Sequence, residues 1–231
     1  MKAKVYFSRE ITPEKVVALY RAVGRELPGK VAVKLHSGEQ GNQNFLGPDF
    51  WRPMIEAVHG TVVECNTAYE GERNTTEKHR RTMIKHGWST NFDVDILDAE
   101  GPDLELAVPN GRSIQKNFVG KDIANYDSML VLSHFKGHPM GGFGGAIKNI
   151  SIGIASSAGK AWIHSAGKTR DRSEVWENLF TQTIIFYPLE NFMNLIDIVP
   201  AGIDAERYRW NHIFDINQIL SNNVVSAATI S

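Results

Sequence analysis

Apolar and polar positions divide the chain into short elements of two kinds. Residues 4–7 read as a strand. Thr12-Pro13-Glu14 then opens a helix, with a hydroxyl cap, a proline in the first turn and an acid at the positive end of the dipole. Behind it, Val16, Leu19, Tyr20, Val23 and Leu27 recur at helical spacing. The pattern predicts strand over 30–35, helix over 48–58, strand over 61–65 and helix over 75–86. Short alternating strands are expected at 93–97, 104–108 and 113–118, joined by Glu100-Gly101-Pro102 and Pro109-Asn110-Gly111, the second a hairpin signal. Residues 127–133 read as a buried strand whose Gly-rich sequel leads into a helix near 144–158.

Strand alternating with helix predicts an α/β fold: a mostly parallel sheet with flanking helices and an antiparallel hairpin insert around 93–119. After Trp176 the period is lost. Residues 180–185 fit a strand, and 221–231 look like a frayed end. The expected organisation is an α/β domain over 1–178 and a C-terminal extension over 179–231, with no internal repeat.

Composition narrows the function classes. Of 231 residues, 42% are hydrophobic, enough for one large or two small globular domains. Lys and Arg (25) balance Asp and Glu (26), so the basic surplus that non-specific nucleic-acid binding requires is missing. No apolar run approaches the roughly 18 residues of a membrane span, and the first eight residues are too short an apolar stretch for a signal peptide. A cytoplasmic setting is expected. Cys65 is the single cysteine, which excludes an internal disulfide and a self-contained iron–sulfur cluster. As one strand-end thiol it reads as packing rather than as a nucleophile. The acidic run Asp93, Asp95, Asp98, Glu100, Asp103, Glu105 reads as a solvated face.

The chemistry concentrates in 133–168. Eight of the chain's 20 glycines lie between Gly137 and Gly167. Gly141, Gly142, Gly144 and Gly145 join a strand to a helix start, where free backbone N–H groups and the helix dipole suit an anion. Lys148 would add a positive charge one turn into the helix, and Lys160 is a further candidate. The spacing matches neither a P-loop nor a dinucleotide fingerprint. His134 and His138 stand four apart, a metal-ligand spacing on a helix, but Gly137 and Pro139 disfavour helix there. A shared divalent metal then requires loop geometry, and general acid–base work by either imidazole is the other use. Three strand ends carry polar segments: His36-Ser37-Gly38-Glu39, Cys65-Asn66-Thr67-Ala68-Tyr69 and Ser133-His134. In an open parallel sheet ligands bind beyond such ends.

Leu132-Ser133-His134-Phe135-Lys136-Gly137-His138, followed by Gly142-Phe143-Gly144-Gly145-Ala146-Ile147-Lys148-Asn149, resembles the signature of the domain-of-unknown-function 362 family. Residues 63–69 and 159–167 fit the same pattern, and the resemblance runs from about 30 to 178. It implies no established activity. Many such proteins are described as iron–sulfur or ferredoxin-like because of cysteine motifs further along, and this chain has no cysteine there; it looks truncated or diverged after 178. A second resemblance is to nickel-dependent lactate racemases, which combine a strand-end His, a Gly-rich segment and a Lys. That resemblance implies His134 or His138 as a proton shuttle and Lys148 as a cofactor or carboxylate partner.

The expectation is therefore a protein that binds a small anion, a carboxylate or a phosphate, at the Gly-rich loop. His134, His138 and Lys148 would carry acid–base or metal-assisted chemistry of oxidoreductase or isomerase type. His36, Asn66, Thr67, Tyr69, Gly141, Gly142, Gly144, Gly145, Asn149 and Lys160 would contact the ligand. The alternative is a non-catalytic redox-partner domain lacking its cluster-binding half.

Overall fold

Hydroxyl caps fix where the helices begin. Thr12 accepts a bond from Lys15 N at 3.3 Å and starts α1 (Pro13–Val23), which ends at Gly24 in a left-handed conformation, φ 68°. Pro48 opens α2 (Pro48–Ala57), Thr75 caps α3 (Thr76–Lys85) through Lys78 N, and a short α4 (Trp88–Asn91) follows. The strands between are β1 (Val5–Ser8), β2 (Val31–Lys34), β3 (Thr61–Glu64) and β4 (Val94–Ile96). Then come β5 (Leu104–Ala107), β6 (Lys116–Val119), a 3-10 turn at Lys121–Asn125, β7 (Ser128–Phe135), β8 (Gly137–His138) and β9 (Gly142–Phe143). Helices α5 (Gly145–Ser151) and α6 (Ser157–His164) and strands β10 (Ile213–Ile219) and β11 (Val224–Ile230) complete the described elements. The computed structural model describes residues 5–108, 111, 114–135, 137–138, 142–143, 145–175, 213–219 and 224–230.

One seven-stranded sheet has the order β1-β11-β10-β7-β2-β3-β4. Strands β10, β7, β2, β3 and β4 run parallel, while β11 is antiparallel to both β10 and β1. Both faces are covered. On one, Val33, Leu35, Val62, Leu130 and Leu132 pack against Val16 and Leu19 of α1, Trp51, Met54 and Ile55 of α2, and Met83 and Trp88. On the other, Ala32, Val63, Met129 and Val131 pack against Ile123, Tyr126, Ile150 and Ile154. Burial on both faces is why the parallel strands read as continuous apolar runs rather than alternating ones.

The α/β class with its mostly parallel sheet stands, and three details differ from the sequence reading. The antiparallel ribbon is β5 with β6, whereas 94–96 joins the main sheet beside β3. The helix expected near 144–158 is two helices. A Cβ on Gly153 would lie 2.0 Å from the Asn149 carbonyl oxygen, so the chain folds back there on itself, and Ser156 caps a new helix through Gly159 N at 2.9 Å. The stretch expected to fray, 221–231, contains β11; its β-branched Val224, Val225, Thr229 and Ile230 suit a paired strand. The strand read at 180–185 lies outside the described residues. No helix among them is long and apolar enough to cross a membrane.

The topology also sets where a ligand can enter. From β2 the chain steps outward through β3 to β4, then returns to place β7 on the other side of β2. The connections leave the sheet in opposite directions between β2 and β7, and the crevice beyond their carboxyl ends is the usual ligand site of an open α/β sheet.

Candidate functional site

A cavity of about 420 Å³ opens at that crevice, within the range of small-molecule sites. Strand ends supply Lys34 and His36 from β2, Glu64, Cys65 and Thr67 from β3, and His134 from β7. Loops add Glu39, Ala68, Tyr69 and Arg73. Gly145, Lys148 and Asn149 come from α5, Gly153 from the turn after it, and Lys160 and His164 from α6.

Its floor is a buried charge network. The Lys34 side chain is 2% exposed, and its ammonium donates to Glu64 Oε2 at 2.9 Å, the Leu35 carbonyl at 2.7 Å and Asn149 Oδ1 at 2.9 Å. Asn149 in turn donates to Ser133 Oγ at 3.1 Å, so one lysine ties β2, β3, α5 and β7 together. The other Glu64 oxygen accepts from the Ser37 amide at 3.0 Å and the Ser37 hydroxyl at 2.8 Å, with Arg73 Nη1 at 3.5 Å. Arg73 Nη2 pairs with Glu39, which also accepts from the Tyr69 hydroxyl. Burial alone would push the Glu64 carboxyl up, but the Lys34 and Arg73 charges beside it hold it well below the usual carboxylate range. Glu39 is held low in the same way: burial opposes, and its bond to Arg73 prevails. Burial raises the Tyr69 hydroxyl to about 12, so Tyr69 stays a neutral donor.

The cavity brings His36, His134, Lys148, Asn149, Thr67, Tyr69, Gly145 and Lys160 together. Asn66 is placed behind the wall instead. Its backbone amide donates to Asp98 Oδ1 at 2.8 Å, its side-chain amide donates to Thr76 Oγ1 at 3.0 Å, and its carbonyl oxygen lies 3.2 Å from Nδ1 of the fully buried His79. The backbone of Gly142 pairs with that of His138 in the β8–β9 ribbon. That pairing engages part of the Gly-rich backbone expected to face an anion. Gly141, Gly144 and the side chain of His138 lie outside the described residues. Among those described, no group of three His, Cys, Asp or Glu side chains is placed to hold a metal.

Sequence reasoning missed Lys34, Glu64 and Arg73. Lys34 and Glu64 carried a usable signal, each being a charge that directly follows apolar residues at the buried end of a strand. Arg73 had none, since it sits in a polar loop. Cys65 is packing, as read: its thiol is 2% exposed and 3.2 Å from the Ile154 carbonyl, and burial pushes its ionisation up.

A sheet with this switch point, and a charged cavity at its carboxyl edge, defines an open α/β protein. More specifically, residues 31–230 match the model of the family described as Domain of unknown function (DUF362), and the chain belongs to that family. The match continues past residue 178, where the resemblance read from the sequence stopped. Among solved structures, the fold is similar to the lactate racemase apoprotein from Thermoanaerobacterium thermosaccharolyticum, with a TM-score of 0.53 and 16% identity. That similarity covers 94% of this chain and 52% of the racemase chain, so this chain spans about half the racemase's length. A protein from Thermotoga maritima is also similar, at a TM-score of 0.48 and 13% identity over 97% of this chain and 55% of that one. No curated protein matches the sequence.

Proposed function

We propose that the cavity binds a small anionic molecule, a carboxylate or a phosphate ester, and that imidazoles on its wall move a proton at the bound ligand. One observation carries this reading. Among the described residues lining the cavity, four basic side chains (Lys34, Arg73, Lys148, Lys160) stand against two carboxylates, Glu39 and Glu64. Both carboxylates are already bonded to Lys34 or Arg73, so the described wall keeps a formal positive excess through Lys148 even with Lys160 neutral, in a partly desolvated site where a unit charge acts more strongly than in water.

His36 and His134 end the two strands that border the crevice, and His164 stands on α6. An imidazole's ordinary pKa near 6.5 suits proton transfer at neutral pH. The Lys34–Glu64–Asn149 network supports the strand ends that carry His36 and His134 rather than reacting itself. The racemase that shares the fold is named for lactate, a small carboxylate and so a member of the ligand class this wall suits.

A thermal-shift panel of small carboxylates and phosphate esters tests the reading, since a ligand that binds only the folded state raises the melting temperature. We expect at least one member of the panel to stabilise the wild type and to act more weakly on Lys148→Ala. A panel with no effect on the wild type overturns the proposal.

A further inference from the structure

The four basic side chains of the cavity are not equivalent. Lys34 and Arg73 each hold a carboxylate. Lys160, 7% exposed, has no ion-pair partner among the described residues; its Nζ donates to the Ala155 carbonyl of its own chain turn. An ammonium has three N–H groups to satisfy. A buried one with a carbonyl as its bonded acceptor is poorly compensated for the water it has lost, which favours the neutral amine. Burial does pull Lys160 below the ordinary lysine range. The Cys65 thiol and the Asp98 and Glu64 carboxylates act in the opposite sense, and Lys34 reinforces the lowering. That lowering raises the share of neutral amine, the form whose lone pair is nucleophilic.

The amine is also held in place. Ser156 caps α6, and the Lys160 amide closes the first turn on the Ser156 carbonyl at 2.8 Å. At the neighbouring Gly159 a Cβ would lie 1.9 Å from the Phe118 carbonyl oxygen, so this turn sits directly against β6 and cannot back away. The Lys160 stem runs from that fixed turn to the cavity wall.

We propose that Lys160 is a nucleophilic amine that condenses with the carbonyl carbon of a small oxo acid held in the cavity. The oxo-acid class rests on the anion-site reading, because the carboxylate end is what the cationic wall would hold. In the reaction the Nζ lone pair forms the new C–N bond, and the carbonyl oxygen leaves as water together with the two protons of the neutral amine. The product is a Schiff base, with no change in oxidation state.

Trapping tests this on the wild-type chain. The protein is incubated with glyoxylate and cyanoborohydride, which reduces the C=N bond to a stable secondary amine, then digested and mapped by mass spectrometry. We expect Lys160 to be modified at least tenfold faster than exposed lysines such as Lys15 and Lys116, and Lys160→Arg to lose that adduct while still melting cooperatively. Modification of Lys160 no faster than those surface lysines, or faster modification at Lys148 instead, overturns the proposal without requiring any variant to fold. Two further outcomes separate it from the anion-site reading. Ligand-induced stabilisation by acetate or phosphate without the Lys160 adduct sinks the inference and leaves the site. Rapid Lys160 modification that no excess of acetate or phosphate slows supports the amine and sinks the anion site.

Discussion

Lys34 and Glu64 come from adjacent strands but from opposite pleat faces. The register pairs Lys34 with Val63 and Val131, which places it on the face of α5, whereas Glu64 lies one position on, on the face of Val62. Their head groups meet at 2.9 Å because the lysine turns over the carboxyl end of β2, where it also reaches the Leu35 carbonyl. The pair is therefore a clamp at the strand ends. Buried pairs add little net stability over an apolar core, but removing one partner leaves an uncompensated charge, at a cost of about 3–5 kcal/mol. Because Glu64 keeps Arg73 and Ser37, Lys34→Met should lose no more than the lower end of that range in urea denaturation, and Lys34→Met with Glu64→Gln should recover much of it. A double variant as unstable as the two single losses combined would show that the residues are not coupled.

His79 gives the chain an early acid limb. It is fully buried, its Nδ1 faces Asn66 Oδ1, and burial lowers it to about 4, with the Glu64 charge opposing. The unfolded chain binds a proton at this imidazole near pH 6.5, and the folded chain does not until about pH 4. This stabilisation is therefore complete above pH 6.5 and is lost as pH falls toward 4, by on the order of 3 kcal/mol. Glu64 and Glu39, whose folded values are depressed, add their own loss only below about pH 4.5, the ordinary carboxylate range. Imidazole NMR should show His79 neutral at pH 5.5, and His79→Leu should flatten stability between pH 6.5 and 4.5. A resonance titrating near 6.5 would contradict this.

Gly153 lies where the cavity wall and the clamp meet. A methyl group there would fall 2.0 Å from the Asn149 carbonyl oxygen and 2.9 Å from Cε of Lys34. Gly153→Ala should cost roughly 1–3 kcal/mol through overpacking and weaken the response to anions by displacing Lys34. Gly24→Ala meets nothing within 4 Å and carries only the penalty of its positive φ. It should cost about 1–2 kcal/mol and leave the anion response intact. Equal ligand responses in the two variants would remove Gly153 from the site.

Cys65, at 2% exposure with its ionisation pushed up by burial, should resist thiol reagents in the native state. The check is Ellman's reagent with and without denaturant: slow native reaction and prompt reaction after unfolding are expected. Fast native labelling would show the thiol open to the cavity.

The elements were legible where local chemistry decides them. Thr12-Pro13-Glu14 and Thr75 mark helix starts by hydrogen bonds available within one turn, and the structure makes those bonds at 3.3 Å. The three polar strand ends were legible because an open parallel sheet exposes its carboxyl edge, and His36, Thr67, Tyr69 and His134 do meet there. The break at Gly153 was not, because its cause is a close approach to Asn149 that no period records. Glu39 and Arg73 meet across 34 positions of sequence, and Lys34 and Asn149 across 115. Such pairings exist only once the sheet order is set, so the network under the cavity could be suspected only from Lys34 and Glu64, charges that close two strands directly after apolar residues.

The most direct measurement is isothermal titration calorimetry of the wild-type chain with a small carboxylate or phosphate selected by thermal shift, repeated at raised salt and with Lys148→Ala. The account predicts saturable one-site binding that weakens as ionic strength rises and falls at least tenfold in the variant. Heats that never saturate, or an affinity the same in both proteins and at both salt concentrations, would contradict it.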